Sequence, residues 1–299
     1  MSKQLKADIA LFLVTIGWGA SFILTKNSLA ELPTFNFLAI RFFIAFLVSS
    51  AIFIKDMIKI DKKTFKYGII LGIILYAMFG FQTMGLRYTT ASKSAFITGF
   101  NVVLVPIFST LMIRKMPNRK TVLSVILAFT GVAMLSLKGS ISEVNIGDVY
   151  TLISAIIFAA YIILVGKYTL DSQSVPLAVV QIGIVGFLSL LTSFTAENPT
   201  IPTSGQVWIN IIILSVVCTS GAYIVQSVAQ KYTSPTHTAL IYTAEPVFAA
   251  MFGYIIYREV LSPKATIGAI LILAGMLITE VDFKLLLNKK KIEEVEASS

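Results

Sequence analysis

The sequence predicts an all-α integral membrane protein in which ten transmembrane helices form two inverted five-helix repeats. Three observations predict this fold class: a low content of charged residues, ten apolar runs of membrane-spanning length, and an internal repeat. Of the 299 residues, 56% are hydrophobic and 13% are charged, whereas a soluble domain carries about 25% charged residues. The mean hydropathy is +0.85. This composition indicates a membrane protein.

The ten apolar runs are each close to the length of about 20 residues that a helix needs to cross a bilayer. Short connections rich in Pro, Gly, Ser and Asn separate them, and none could hold a soluble domain. A tail over 284–299 leaves the last run through a lysine cluster. The runs cover 8–28, 35–54, 67–86, 92–113, 120–137, 147–166, 175–195, 207–229, 235–257 and 264–281.

The basic residues predict the orientation of these spans. Most of the 24 Lys and Arg residues fall on one side of the membrane if the N-terminus is cytoplasmic, with dense groups over 55–66 and 114–120. Cytoplasmic loops carry this bias. We therefore expect a multi-pass protein of the cell membrane, in the lipid bilayer, with both termini in the cytoplasm. The basic residues that give the net charge of +9 lie between the apolar runs, where they set the orientation in the membrane. No nucleic-acid partner is therefore predicted.

An internal repeat divides the chain into 1–143 and 144–283, followed by the tail. The stretch 87–103 can be laid on 231–247 at a constant offset of 144, and near the start of each half the offset is about 140. Because each copy holds five spans, the second copy must enter the membrane from the opposite side. Inverted repeats are typical of secondary transporters, whose substrate site lies at the repeat interface near the midplane. The matched positions include Gln82 on Gln226, Asn101 on Glu245, Asp8 on Asp148, Trp18 on Phe158 and Arg41 on Gln181.

One helix face in span nine is polar, and so is its match in span four. Residues three or four apart share a helix face. Such hydroxyls and amides can either line a cavity or bond neighbouring helices, and the sequence leaves both interpretations open. The face reads Thr238, Tyr242 and Glu245 in span nine, and Ser94, Thr98 and Asn101 in span four.

Glu245 is the strongest candidate site residue because it is an acid within a run that could otherwise span the membrane. A charge at the bilayer centre costs at least about 2.5–3.5 kcal/mol, and such residues mark pathways or proton relays. Pro246 follows and has no N–H, so the Tyr242 carbonyl loses its helical partner and a kink is expected. The alternative is a buried structural acid.

Other positions are weaker candidates. Gln82 and Gln226 need hydrogen-bond partners, either across helices or in a cavity. Trp18 is a candidate cavity wall. For Arg41 the default is a side chain that extends toward the membrane surface, with pairing to Glu245 or binding of an anionic group as alternatives. Lys93 and His237, which are matched in the repeat, are interpreted as surface residues.

Four stretches carry a family resemblance: "WGASF", "AIRFFIAFL", "LRYTTASKSAFITGFNVVLVP" and "YTAEPVFAAMFGYIIYREVLSPKATIGAILILAGMLI". They resemble the drug/metabolite transporter superfamily, and its EamA-like family in particular, over nearly the whole chain. The resemblance implies ten helices, cytoplasmic termini, and a cavity walled largely by spans one, three, four, six, eight and nine. It also implies export or uptake of small organic solutes, without naming the cargo.

Three functions follow as hypotheses. The first is a secondary transporter that moves small organic metabolites, such as amino acids, by alternating access, with export as the expected direction. The second is an efflux carrier for lipophilic cations, with Glu245 as counter-charge. The third is a passive channel or a non-transporting membrane scaffold. With one Cys and one His and no phosphate-binding glycine-rich loop, no enzyme activity, metal site or cofactor is predicted. Coupling to protons or another ion, and the oligomeric state, stay open.

Overall fold

The computed structural model describes residues 2–112, 119–136 and 145–280. Every regular element within these residues is a helix. A 3₁₀ turn, Thr169–Asp171, follows α8, and a π-helical segment, Val216–Gly221, joins α10 to α11. The helices are α1 (Lys3–Ser28), α2 (Thr34–Ile52), α3 (Ile54–Met57), α4 (Lys62–Tyr88), α5 (Ala91–Gly99), α6 (Asn101–Met112), α7 (Arg119–Ser136), α8 (Ile146–Tyr168), α9 (Ser174–Ala196), α10 (Gly205–Ser215), α11 (Ala222–Ala229), α12 (Pro235–Tyr242), α13 (Ala244–Tyr257) and α14 (Pro263–Glu280).

Eight helical segments in the described part of the chain are long and apolar enough to cross a membrane. They match predicted spans one to four and six to nine, so the chain is a multi-pass membrane protein. Predicted spans five and ten correspond to α7 and α14, whose apolar stretches are the shorter Val122–Met134 and Pro263–Met276. The predicted repeat boundary at 143/144, the basic residues Arg114 and Lys115, and the tail over 284–299 lie outside the described residues.

Side chains cap the helix starts, and two of the caps come from distant loops. Asp61 accepts hydrogen bonds from the backbone N–H and hydroxyl of Thr64 at 2.7 and 2.9 Å, and these bonds hold the pKa of Asp61 below its usual value. The Glu197 carboxylate accepts from the backbone of α2 at Asn36. The Glu259 carboxylate accepts from Ser92 at the start of α5. Carboxylates at helix N-termini satisfy free N–H groups and favour the helix dipole.

The long helices pack against one another in several extensive contacts. Helix α4 packs against α8 and α9, and α2 packs against α9. Helix α1 packs against α11 and α13, and α7 packs against α14. Glycine permits the closest approaches: a Cβ on Gly19 of α1 would lie 2.6 Å from the Phe248 Cβ and 2.9 Å from the Ala249 nitrogen of α13. Small residues let helix backbones approach in this way in membrane bundles.

Predicted spans four and nine are each interrupted near the middle. The chain leaves the α-helix at Phe100 between α5 and α6, and at Thr243 between α12 and α13. Each interruption is tightened by an i→i−3 bond, from Phe100 N–H to the Ile97 carbonyl and from Thr243 N–H to the Leu240 carbonyl, both at 3.1 Å. The second falls just before Pro246, as its missing N–H predicts. The first occurs although Val102 occupies the place that matches Pro246.

Candidate functional site

A small cavity lies between α1, α2, α4, α8, α11 and α13. Its free volume is about 20 Å³, little more than one water molecule needs. Pockets that bind drug-sized ligands are larger, about 300–1,000 Å³. In this conformation the side chains therefore fill most of the space. The lining, called here the Glu245 cavity, consists of Trp18, Ser21, Phe22, Arg41, Met78, Phe79, Gln82, Phe158, Tyr223 and Glu245.

Glu245 enters this cavity from the first turn of α13. The helix interruption at Thr243 sets the position of this turn, and the side chain is only 6% exposed. Among the described residues, no side chain or backbone group makes a hydrogen bond or ion pair with its carboxyl group. A buried carboxylate without a partner loses the hydration that stabilises its charge. Glu245 therefore offers a strong interaction site to any donor that enters the cavity.

Arg41 reaches the same cavity from α2 and is 2% exposed. Its Nε donates to the Thr219 Oγ1 at 2.8 Å, and its guanidinium carbon lies 5.1 Å from the centre of the Phe79 ring. The default prediction of a side chain that extends to the membrane surface was wrong, because a hydroxyl and aromatic faces inside the bundle bind the guanidinium. The terminal nitrogens make no hydrogen bond within the described part of the chain.

Arg41 and Glu245 share a cavity, yet no ion pair of 4 Å or less joins them in the described residues. The predicted alternative of direct pairing is therefore absent in this conformation. One cavity thus holds a carboxyl group and a guanidinium whose terminal nitrogens, within the described residues, make no hydrogen bond. Such a pair can receive a ligand that carries both a positive and a negative group.

Aromatic rings line the same cavity. The Trp18 ring lies 5.4 Å from that of Tyr223 and 5.9 Å from that of Phe158. The Phe79 ring lies 6.0 Å from that of Tyr223. The Trp18 Nε1 donates to the Cys218 carbonyl at 3.0 Å, which fixes the indole. Edge-to-face and tilted contacts of this kind hold the rings in defined orientations.

Three further predicted site residues lie in or beside the cavity. Gln82 lines it, and its Nε2 donates weakly to the Thr98 Oγ1 at 3.5 Å. The Tyr242 ring lies 5.1 Å from that of Trp18. The Tyr242 hydroxyl is buried and has no hydrogen-bond partner. A buried hydroxyl without a partner costs about 1–3 kcal/mol, so this group is a second place where a ligand could compensate the protein.

The other predicted residues are outside the lining. Asn101 donates from Nδ2 to the Thr98 carbonyl at 2.6 Å. Gln226 donates to Gln230 at 3.1 Å. Ser94 is 3.3 Å from the Thr151 hydroxyl, and the Thr238 hydroxyl is buried without a partner. The structure thus brings together Trp18, Arg41, Gln82 and Glu245, with Thr98 and Tyr242 adjoining them.

Sequence reasoning missed Phe79 and Tyr223 as cavity residues. The signal was the repeat itself, since Phe79 falls on Tyr223 at the offset of 144 and both line the cavity. It also interpreted Lys93 as a surface residue. The Lys93 side chain is only 16% exposed and forms an ion pair with Asp148 at 2.9 Å, because the helix starts of α5 and α8 meet there.

The sequence profile of the EamA-like transporter family matches this chain twice, over residues 5–137 and 145–281. The chain belongs to the EamA-like transporter family. The predicted resemblance is thereby confirmed. The family is one of transporters, which agrees with the membrane-spanning helices described above.

Two relatives and one solved structure illustrate the similarity of this EamA-like chain to known proteins. An uncharacterized transporter of Archaeoglobus fulgidus is 35% identical over 280 residues, which cover 93% of this chain and 87% of the relative. The uncharacterized transporter YyaM of Bacillus subtilis is 28% identical over 92% of this chain and 93% of its own. A protein of known crystal structure, 18% identical, superimposes with a TM-score of 0.69 over 91% of this chain and 96% of its own, which shows a shared fold.

Proposed function

We propose that this protein is a secondary transporter that moves small zwitterionic organic metabolites, of the α-amino acid class, across the cell membrane by alternating access. Ten transmembrane helices would form two inverted repeats, over 1–143 and 144–283, with both termini in the cytoplasm and export as the expected direction. The Glu245 cavity would be the substrate site. The observation that carries the cargo class is the presence, in one cavity, of Glu245 and Arg41 without an ion pair between them within the described residues.

The inverted repeat is supported by contacts between matched residues. Trp18 touches its counterpart Phe158, and Phe79 touches its counterpart Tyr223. A residue contacts its own equivalent only near a two-fold axis, so a pseudo-two-fold axis would pass through the Glu245 cavity. Helix contacts are reciprocal as well: α4 packs on α8, and the matching elements α11 and α1 also pack together. The two matches of the family profile agree with this division.

The charges of the cavity favour a zwitterion. The ammonium group of an amino acid would bind the Glu245 carboxylate and the faces of Trp18 and Tyr223, where cations are attracted to aromatic rings. Its carboxylate would accept from the free terminal nitrogens of Arg41, whose planar fork matches a carboxylate. A side chain of variable size would pack against Phe79 and Phe158.

The small free volume of the cavity supports movement during transport. About 20 Å³ cannot hold an amino acid, so the helices must separate to admit one. The interrupted helices α5/α6 and α12/α13 supply points at which half of a span can move relative to the other half. Transporter sites are commonly built at such discontinuous helices.

Efflux of lipophilic cations is the second candidate. It is favoured by the unpaired carboxyl of Glu245 within an aromatic wall, which is a typical arrangement for binding organic cations. The Arg41 guanidinium favours the amino-acid transporter over the cation carrier. Its positive charge repels a cationic ligand in the same cavity and attracts the carboxylate of a zwitterion.

Counterflow in proteoliposomes tests this proposal, with a panel of radiolabelled α-amino acids and with tetraphenylphosphonium as the lipophilic cation. We expect trans-stimulation by an amino acid. Glu245→Gln and Arg41→Gln should each weaken its apparent affinity at least about tenfold, since a lost charge-assisted hydrogen bond costs about 1.5–3 kcal/mol. The control is Ser189→Ala, because Ser189 is a buried polar residue of α9 outside the cavity lining.

The outcomes discriminate between the functions. Binding of tetraphenylphosphonium that is lost in Glu245→Gln but retained in Arg41→Gln would establish the cation carrier instead. Flux without trans-stimulation would indicate a channel. If Glu245 carries a coupling proton, Glu245→Gln should abolish gradient-driven transport while exchange continues, and the pH dependence of transport should flatten. A folded Glu245→Gln protein with wild-type affinity, exchange and pH profile would refute a role for this acid.

A further inference from the structure

A polar cluster joins the two halves of the chain where α5 and α8 begin. The Lys93 Nζ lies 2.9 Å from the Asp148 Oδ2, and the Thr89 hydroxyl donates to the Asp148 Oδ1 at 2.6 Å. The Asp148 side chain is 2% exposed. Both carboxylate oxygens are thus occupied, and Lys93 and Thr89 of the first half are tied to Asp148 of the second. These residues are called the Asp148 cluster.

The repeat places a matching set of residues elsewhere in the chain. At the repeat offsets Asp148 corresponds to Asp8, Lys93 to His237 and Thr89 to Thr233. Two of these residues also meet: the His237 Nε2 lies 3.3 Å from the Asp8 Oδ2. Here an acid of the first half faces a base of the second half. Asp8, Thr233 and His237 are called the Asp8 cluster.

The two clusters lie at opposite ends of α1. Asp8 stands near the start of this helix, and Lys26 in its last turn donates to the Thr89 carbonyl of the Asp148 cluster. The rise of an α-helix puts these two positions about 27 Å apart. One cluster therefore joins the halves at one end of the bundle, and the other joins them at the opposite end, with the Glu245 cavity on helices that run between them.

The clusters differ in which hydrogen bonds they make. The bond from Thr89 to Asp148 has no counterpart in the Asp8 cluster, where the Thr233 hydroxyl and the Asp8 Oδ1 are both buried and both lack a partner. The residues that follow Lys93 and His237 differ in the same way. The Ser94 hydroxyl lies within hydrogen-bonding distance of Thr151, whereas the Thr238 hydroxyl has no partner. At the first end these groups are bonded, whereas at the matching end the His237–Asp8 pair is formed but the Asp8 Oδ1 and the hydroxyls of Thr233 and Thr238 have no partner.

We propose that the Asp148 and Asp8 clusters close the two ends of the transport pathway in turn. In the described conformation the Asp148 cluster is complete and its end is closed. In the opposite conformation Thr233 would donate to Asp8, and Thr89 would release Asp148. The clusters are positioning groups that set the balance between two states. This inference rests on the proposed alternating access, because an inverted repeat exchanges the conformations of its halves.

Matched valine variants test the proposal, since valine has the shape of threonine without the hydroxyl. Thr89→Val removes a bond that closes the described state, and Thr233→Val removes a bond that closes the opposite state. Single cysteines at Ser94 and Thr238, in a Cys218→Ala background, report on the two ends through labelling with a membrane-impermeant maleimide. No substrate is needed, and labelling from each side of the membrane identifies the open end.

We expect the two variants to shift labelling in opposite directions. In the Thr89→Val protein, the cysteine of Ser94→Cys should be labelled about fivefold faster or more, and the cysteine of Thr238→Cys should be labelled more slowly. The size of this shift follows from the loss of one hydrogen bond to a charged group. Thr233→Val should do the reverse. Loss of a merely structural bond would loosen the protein in both variants alike, so shifts in one direction, or no shift in either, would overturn the proposal.

Charge variants keep the test decisive if a valine variant folds poorly. Asp148→Asn should act like Thr89→Val, and the exchange of Lys93→Asp with Asp148→Lys should restore the original labelling. Failure of this rescue would count against the cluster. The proposed cargo can fail separately: opposite labelling shifts without amino-acid counterflow would refute the cargo alone, and counterflow without labelling shifts would refute the clusters alone.

Discussion

The interrupted helices α5/α6 and α12/α13 occupy matching places in the two halves but treat their polar groups differently. In the first, the Asn101 side chain donates to the Thr98 carbonyl at 2.6 Å and lies outside the Glu245 cavity. In the second, the matching Glu245 faces the cavity without a partner, and Pro246 withholds an N–H from the matching carbonyl of Tyr242. The Tyr242 hydroxyl is unpaired as well.

The difference indicates that the interrupted helices α5/α6 and α12/α13 have different roles. In the α5/α6 interruption the Asn101 amide bonds the Thr98 carbonyl, and only the Asn101 Oδ1 is left buried without a partner. The interruption in α12/α13 leaves a carboxyl group and a hydroxyl without protein partners, at a cost in folding free energy that a bound ligand can offset. The matched positions Asn101 and Glu245 therefore differ in chemistry, and a mechanism that depends on the acid must be asymmetric too.

The largest expected effect on stability comes from Gly19→Ala in α1, the helix that packs against α13. Gly19 of α1 packs directly on α13, where a Cβ would lie 2.9 Å from the Ala249 nitrogen and 3.1 Å from the Glu245 carbonyl. The matching residue in α8 is Ala159, which already carries this methyl group while fully buried. Gly19→Ala should destabilise the protein by about 1–3 kcal/mol through overpacking.

Thermal unfolding in detergent, followed by tryptophan fluorescence, measures this loss of stability. Ala159→Gly is the matched control and should cost no more than about 1 kcal/mol, the helix propensity difference. An unchanged melting temperature for Gly19→Ala would show that α1 and α13 are not in close contact. The contrast between Gly19 in α1 and Ala159 in α8 would then disappear.

Asn101→Ala is expected to have an intermediate effect on stability. The substitution removes the donor to the Thr98 carbonyl together with the buried, unpaired Asn101 Oδ1, so the loss should be about 0.5–1.5 kcal/mol, the net contribution of one hydrogen bond. The matched truncation Glu245→Ala breaks no hydrogen bond, so it should lower the unfolding temperature less than Asn101→Ala does. Equal losses in the two variants, measured side by side in the same detergent, would break the comparison.

Tyr242→Phe should have the smallest effect on stability. The hydroxyl that it removes is buried without a partner, so the unfolding temperature should stay the same or rise slightly. If the hydroxyl binds substrate, the same variant should lose amino-acid affinity in counterflow. A clear loss of stability would reveal a partner for this hydroxyl and would weaken its assignment to the substrate site.

Much of the fold followed from residue patterns. Apolar runs located the membrane-spanning helices, with α1 starting earlier than the predicted 8 because Ser2 caps the helix by accepting from the Leu5 N–H at 3.1 Å. The repeat offset matched Asp8 with Asp148 and Lys93 with His237, although it did not show that Asp148 pairs with Lys93 and Asp8 with His237. Pairing between residues of the two halves depends on which helix ends lie close together in space, and the order of residues in the sequence does not give that distance.

The sequence by itself determined that this is a duplicated membrane protein of the EamA-like family, because hydropathy and repetition are properties of residue order. It also singled out Glu245, since an acid in an apolar run is anomalous wherever the helix packs. Only the tertiary structure decided that Arg41 turns inward to Thr219 and Phe79, that Asn101 bonds its own backbone, and that one end cluster is complete while the other is not. These outcomes depend on the packing of helices from opposite halves, where a few ångströms decide which groups find partners.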